Sequence, residues 1–215
     1  PFQARALEIA TSFKETSPSM LLDLAILYLE NDRMDKAKEI LDQLIHEKYG
    51  FNRQQRQSSQ PYFYRARIAW RQQQRAEAIA FLEQGLRQTP GDPWALAYLF
   101  ALTADTSYKD LLWRYFDAID AEFLLGQAYL DTEQPELAVN SFAYVVAKLP
   151  EYRKGQIYYS LALGAAGDYE RAARQYLDAL KKGRDPIFRE TEVLHIFRMW
   201  ASQALQTPET RYYLA

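Results

Sequence analysis

The feature that most constrains the fold is an internal repeat of small and bulky residues. Gly126 is followed twelve positions later by Ala138, and four positions after that by Phe142. The same spacing recurs at three other places, where two small residues precede a bulky one: Ala25, Ala37 and Leu41; Ala66, Ala78 and Leu82; Ser160, Ala172 and Tyr176. A recurring pattern of this length indicates a repeat architecture, in which one structural unit stacks on the next.

Each unit is expected to be a pair of helices. Two helices packed as a hairpin need small residues where their backbones approach closely, and bulky residues to fill the groove beside them. The chain contains only eight glycines and is rich in Ala, Leu, Glu, Gln and Arg, which favours helices over strands. Four dipeptides have the form of an N-cap residue followed by proline in the first turn: Ser17-Pro18, Asp92-Pro93, Asp185-Pro186 and Thr207-Pro208.

One copy carries an almost complete family motif. Leu125-Gly126 is followed by Tyr129, and Ala138 and Phe142 are followed by Pro150. This pattern resembles the tetratricopeptide repeat (TPR). The resemblance implies an all-α fold, a right-handed α-solenoid of antiparallel helix hairpins that forms a superhelix. We expect a single domain, 1–215, with about five repeats and two flanking helices. The repeats are expected at 18–49, 59–90, 93–118, 119–150 and 153–184, and the flanking helices at 2–16 and 186–206.

The third copy is the weakest. It has Phe100 and Leu112 where small residues belong, followed by Phe116. Its two helices are therefore expected to lie farther apart or to be tilted. The step to the next copy is short, so the helix that ends near Ala118 is predicted to turn almost directly into the next helix, with a kink in the solenoid. The polar stretch Phe51–Gln60 is predicted to be an extended loop.

The TPR resemblance also predicts a ligand groove. TPR proteins bind peptides or helices along the first helices of their repeats, at the places after the W, G and Y of the motif. Those places hold Phe63, Arg67, Trp70, Phe123 and Gln127, among mostly apolar neighbours. The Lys and Asn with which some members grip a C-terminal carboxylate are absent, so a chaperone-tail adaptor is not expected. The alternative is that neighbouring helices cover these side chains.

Arginines distinguish the second copy. Six of them and no carboxylate occur between Tyr49 and Ala76: Arg53, Arg56, Arg65, Arg67, Arg71 and Arg75. Arg67, Arg71 and Arg75 follow at i, i+4 and i+8, which predicts one helical face beside Trp70. Arg71 therefore joins the predicted contacts with a partner that carries acidic and apolar side chains. The alternative is a solvated face, and nucleic acid is not expected because the chain is net −2.

Catalytic, metal and cofactor sites are not expected. The chain has no cysteine, and its two histidines, His46 and His195, lie far apart in sequence without a ligand-spaced partner. The longest apolar run, Leu21–Leu29, contains Asp23 and is much shorter than the roughly 20 residues that span a bilayer. We therefore expect no catalysis, no cofactor, no metal and no membrane insertion of this segment.

The sequence leaves three functional hypotheses. The first is a scaffold that holds a peptide or helix of another protein, in contact with Phe63, Arg67, Trp70, Arg71, Phe123 and Gln127. The second is a periplasmic scaffold of a bacterial system that exports or modifies polysaccharide, because 14% of the residues are aromatic and tyrosines stack on sugars. The third is a spacer or self-association module. Because the chain starts without Met, we expect it to be a segment of a larger protein. We expect that protein to be bacterial and to lie in the periplasm or the cytoplasm.

Overall fold

A computed structural model describes residues 17–46 and 58–181 of the protein. These residues form ten α-helices and no β-strand. The helices are α1 (Pro18–Glu30), α2 (Met34–His46), α3 (Gln60–Arg71), α4 (Arg75–Gln88), α5 (Pro93–Thr103), α6 (Thr106–Tyr115), α7 (Ala118–Asp131), α8 (Pro135–Lys148), α9 (Arg153–Ala165) and α10 (Tyr169–Lys181). The prediction of an all-α repeat fold is confirmed. The predicted flanking helices, 2–16 and 186–206, and most of the predicted loop lie outside the described residues.

The chain divides into two compact units, Pro1–Leu112 and Trp113–Ala215. In the first unit, α1 packs on α2, α2 on α3, α3 on α4 and α4 on α5. In the second unit, α7 packs on α8, α8 on α9 and α9 on α10. The predicted single domain and the predicted kink near Ala118 stay predictions. The link itself is short, because α6 ends at Tyr115 and α7 begins at Ala118.

Capping residues fix where several helices begin. The side chain of Ser17 accepts a hydrogen bond from the backbone N–H of Met20 (3.3 Å), and that of Asp92 accepts one from Ala95 (2.7 Å). Both were predicted from the residue pairs with proline. Asp117 caps α7 in the same way. Each cap satisfies a backbone donor that has no partner inside its helix. The other two predicted caps lie outside the described residues.

Four of the turns between paired helices share one backbone geometry. Each has a residue with positive φ just after the first helix: Asp32 (58°), Gln73 (61°), Glu133 (60°) and Gly167 (88°). The next N–H then donates to the carbonyl five residues back, as Gln134 does to Tyr129 at 2.8 Å. This is the Schellman motif, which closes the C-terminus of a helix and reverses the chain. The repeated turn therefore produces repeated hairpins.

The close approach of paired helices is clearest in the second unit. Phe142 is fully buried, and a Cβ atom added to Gly126 would lie 2.6 Å from Cζ of the Phe142 ring. Only glycine leaves room for that ring. The other small residues of the repeat are likewise buried: Ala25, Ala37, Ala66, Ala78, Ala138, Ser160 and Ala172. The predicted close approach is confirmed at Gly126.

The third copy is built differently. The close backbone approach that joins the other paired helices is not found between α5 and residues 106–112 of α6. Helix α5 is instead buried against α4 and carries aromatic contacts to α3. Leu112 is fully buried and Phe100 is half-buried. Because both positions hold large side chains, the two helices cannot approach as a tight hairpin. The Lys109 ammonium of α6 lies 5.5 Å from the centroid of the Phe100 ring of α5, and the predicted wider spacing or tilt of this copy stays a prediction.

Candidate functional site

Helix α3 presents three of the predicted contact residues on its C-terminal half. Arg71 is exposed, and Arg67 and Trp70 are partly buried. No carboxylate occurs within α3, and Arg71 lies in its last turn, where a cation is favoured by the helix dipole. This end of α3 therefore combines a positive charge open to solvent with a partly exposed tryptophan.

Phe63 lies beneath these residues. Its side chain is 8% exposed. The ring packs against Tyr98 (5.0 Å between centroids), Tyr64 (5.3 Å) and Trp94 (5.7 Å), and the guanidinium of Arg67 lies 5.8 Å from its centroid. Phe63 thus supports Arg67 from below, and a partner would reach little more than its edge. Its direct contact with a ligand stays a prediction.

The predicted arginine face does not extend to Arg75. Helix α3 ends at Arg71, the chain turns at Gln73, and Arg75 begins α4. The guanidinium of Arg75 donates to the carbonyl of Leu102 in the last turn of α5. The prediction of a face continuing through i+8 was wrong, because the left-handed turn interrupts the helix. Arg75 caps a helix C-terminus instead.

Arg65 has a structural role that the sequence did not indicate. It is 4% exposed and makes ion pairs with Asp42 of α2 (2.5 Å) and Glu77 of α4 (3.5 Å). Its guanidinium also lies 4.5 Å from the centroid of the Phe81 ring. A buried cation needs such partners because its desolvation is costly. Arg65 is therefore an internal residue. Two more of the six arginines, Arg53 and Arg56, lie outside the described residues.

In the second unit, Phe123 is part of a cluster of aromatic rings. It is 8% exposed and lies 5.3 Å from Tyr158, 5.6 Å from Phe142 and 5.6 Å from Tyr152. Offset and edge-to-face contacts of this kind are favourable beyond the area they bury. Like Phe63, Phe123 is largely covered by neighbouring side chains. Whether a ligand touches it stays a prediction.

The ammonium of Lys154 lies above this cluster. It is 5.2 Å from the centroid of Phe123 and 6.0 Å from that of Tyr158. Within the described residues, no carboxylate forms an ion pair with it. Sequence reasoning missed Lys154. The available signal was its position four residues before Tyr158 on α9, which places both side chains on one helical face.

Gln127 follows Phe123 by one helical turn on α7. Its side chain is partly buried, and its Oε1 atom is shielded from solvent with no hydrogen-bond donor in reach among the described residues. Buried polar atoms are usually paired, so this acceptor is unusual. Because Phe123 and Gln127 are four residues apart on α7, their side chains lie on one face of this helix.

Two tyrosines close to the predicted contact residues have altered acidity. Burial raises the pKa of Tyr64, and the nearby Arg67 partly offsets that rise. Burial also raises the pKa of Tyr129, and the charge of Glu122 raises it further. Both phenols therefore stay protonated at neutral pH and act as packing residues with a polar tip.

The described residues contain no group of three or more His, Cys, Asp or Glu side chains arranged to hold a metal ion. His46 is exposed, and its Nδ1 lies 2.8 Å from the carbonyl of Asp42; His195 lies outside the described residues. Across 17–46 and 58–181, every helix is too short or too polar to span a bilayer.

Comparison with known structures gives three similar proteins, each with low sequence identity. The C-terminal part of a TPR repeat-containing protein from Cytophaga hutchinsonii is 14% identical, with 99% of this chain and 93% of that chain covered and a TM-score of 0.46. MamA from Desulfovibrio magneticus is 17% identical, with 80% and 97% covered and a TM-score of 0.42. Another crystal structure of MamA is 16% identical, with 83% and 85% covered and a TM-score of 0.37.

No match was found among curated proteins. A family profile does match the chain in two stretches, residues 22–93 and 123–187, and its description is tetratricopeptide repeat. The gap between the stretches contains almost all of the third copy, in which large residues replace small ones. The two stretches together cover more than half of the chain, which therefore belongs to the tetratricopeptide repeat family.

Proposed function

We propose that the protein is a non-catalytic scaffold that binds a segment of another protein along the first helices of its repeats. The observation that supports this proposal most directly is the end of α3. There, Arg71 is exposed and Arg67 and Trp70 are partly exposed, on a helix without a carboxylate. A partner segment that places acidic side chains beside an apolar one is complementary to this surface.

The proposed contacts differ in their expected strength. Trp70 supplies a large, rigid apolar surface, and tryptophan is enriched among residues that dominate binding energy. Arg71 is exposed, so an ion pair with it is worth only about 0.2–1 kcal/mol and weakens with salt. Phe63 holds Arg67 in place from below. In the second unit, Gln127 and Phe123 are the corresponding proposed contacts on α7.

The experiment is a pull-down from the source cell, with the wild-type protein compared with the Trp70→Ala, Arg71→Glu double variant. Phe63 is left intact because its burial makes Phe63→Ala a change to the core. Arg87→Glu is the matched charge control, since Arg87 is also exposed and lies in the last turn of the neighbouring α4. Circular dichroism checks that all three proteins are equally helical.

We expect one protein to be retained by wild type and by Arg87→Glu, and lost from the double variant. Its retention should fall as the salt concentration rises, because exposed charges are screened. Equal capture by all three proteins would mean that α3 is not the contact surface. Loss from Arg87→Glu as well would indicate a response to net charge alone.

Exposed aromatic residues support a second candidate function, a polysaccharide-contacting scaffold of the bacterial envelope. Trp113 is 48% exposed and Tyr115 is 56% exposed, near the end of α6. Aromatic faces open to solvent suit stacking on sugar rings. Retention of the protein on a polysaccharide column, lost in Trp113→Ala but kept in the Trp70→Ala, Arg71→Glu variant, would favour this function over the first.

A further inference from the structure

The second unit contains a positive charge that aromatic rings hold in place and no described carboxylate neutralises. Lys154 lies 5.2 Å from the Phe123 centroid and 6.0 Å from that of Tyr158. The negative faces of aromatic rings attract an ammonium group and fix its position. Lys154 and Tyr158 are partly exposed, so an approaching ligand meets a charge that is already oriented.

A second observation concerns Gln127, which follows Phe123 by one helical turn on α7. Oε1 of Gln127 is shielded and lacks a donor within the described part of the chain. An acceptor of this kind is costly in the free protein, and the cost is removed when a donor reaches it. The terminal torsion of a glutamine side chain is broad, so rotation can exchange the positions of Oε1 and Nε2. The backbone N–H of a bound peptide is a suitable donor.

From these two observations we infer that Lys154, Phe123, Tyr158 and Gln127 form a site for one acidic side chain within an extended peptide segment. The carboxylate pairs with Lys154, a neighbouring apolar residue packs on the exposed part of Tyr158, and a backbone N–H donates to Gln127. This inference rests on the proposed function, because the segment is the one that lies along the first helices. It adds the chemistry that the second unit recognises.

The number of cations available at this site favours an internal side-chain carboxylate as the ligand over a chain terminus or a phosphate. Arg153, the neighbouring base, is 8% exposed and its Nε donates to the carbonyl of Ala179 at 3.1 Å. It is therefore committed to the C-terminal turn of α10. A single ammonium matches a single carboxylate, whereas phosphate groups and chain termini are usually gripped by several donors.

The test is an NMR titration that follows the ring resonances of Phe123 and Tyr158 and the side-chain signals of Lys154. The first probe is the blocked peptide acetyl-Gly-Phe-Glu-Leu-Gly-amide. The second has Gln in place of Glu, and the third has Gln together with a free C-terminal carboxylate. We expect the Glu peptide to shift these signals and to bind about two- to fivefold more tightly than either Gln peptide.

Two lysine variants complete the test. Lys154→Gln should reduce the affinity for the Glu peptide by about the same two- to fivefold. Lys148→Gln is the matched control, because Lys148 also lies over a tyrosine ring, that of Tyr144 at 5.7 Å, but on the exposed side of α8. It should bind as wild type does. Unfolding curves of both variants verify that the fold is unchanged.

Several outcomes would overturn the inference. They are equal binding of the Glu and Gln peptides, unchanged binding by Lys154→Gln, or preference for the free C-terminus. The outcome for the proposed function is separate, because the Trp70→Ala, Arg71→Glu variant alters only α3 and should still bind the Glu peptide. If that variant keeps its cellular partner while Lys154→Gln binds the Glu peptide about two- to fivefold more weakly, the scaffold proposal for α3 fails and the Lys154 site stands.

Discussion

The α7–α8 hairpin and the α5–α6 pair are both copies of the repeat, but they carry residues of different size at the two small positions. In α7–α8, glycine at position 126 lets the Phe142 ring lie directly against the helix backbone. In α5–α6, the large residues Phe100 and Leu112 occupy the small positions, α5 packs on α4, and Lys109 of α6 lies over the Phe100 ring. The chain also divides into its two units within α6. The two copies therefore differ in the space that their small positions leave for a facing side chain.

The largest expected effect is at the bulky position of the regular hairpin. Phe142→Ala should lower the free energy of unfolding by about 3–5 kcal/mol, because a fully buried ring is lost and a cavity remains. Leu112→Ala, in the other copy, should cost about 2–5 kcal/mol and less than Phe142→Ala, since a smaller side chain is removed. Urea unfolding followed by circular dichroism measures both. A larger loss for Leu112→Ala would mean that the weak copy carries more of the stability.

The next effect tests the close approach itself. Gly126→Ala should destabilise the protein by about 1–3 kcal/mol, because its Cβ would overlap the Phe142 ring. Gly85→Ala is the control, since the nearest atom to its added Cβ is Cβ of Tyr62 at 3.3 Å and alanine is the better helix former. Its unfolding free energy should change by less than about 1 kcal/mol. Equal costs at the two glycines would contradict the role of Gly126 in the close approach.

The features that were predictable from sequence are those fixed by neighbours in the chain. The cap formed by Asp92 depends on residues three positions apart, and the pairing of Gly126 with the helix containing Phe142 depends on one hairpin. Both follow from local spacing. The wider spacing expected in the third copy rests on the same local pattern, because Phe100 and Leu112 are too large for a close crossing.

The features that were missed depend on residues distant in sequence or on a single backbone angle. Arg65 pairs with Asp42 across the predicted loop, and no local pattern joins them. Phe63 is covered by Trp94 and Tyr98 from α5, so its burial depends on how two repeats stack. The turn at Gln73 removed Arg75 from the predicted face. Side-chain exposure at a groove position therefore needs the packed structure.

A smaller effect is expected at the positive-φ residue that each copy has between its two helices. Glu133 in α7–α8 and Ala104 in α5–α6 both have positive φ, 60° and 59°. Replacing either with glycine relieves a left-handed conformation that costs about 1 kcal/mol, so each variant should gain up to about that much stability. Ala166→Gly is the control, because φ is −78° there and glycine only adds flexibility. Stabilisation by Ala166→Gly would argue against a conformational origin.

The smallest effect is the pH dependence contributed by Tyr129, which lies within the regular hairpin. Burial raises its pKa above the ordinary value of 10.0, and Glu122 adds to the rise. The folded state therefore holds the phenolic proton at a pH where the unfolded state releases it. Its contribution to stability is complete below pH 10 and is lost as the pH rises through the folded pKa. Tyr129→Phe should make the unfolding free energy less dependent on pH above about 10. Unfolding curves measured on both sides of pH 10 test this, and an unchanged pH dependence in Tyr129→Phe would mean that the hairpin does not shield this phenol from solvent.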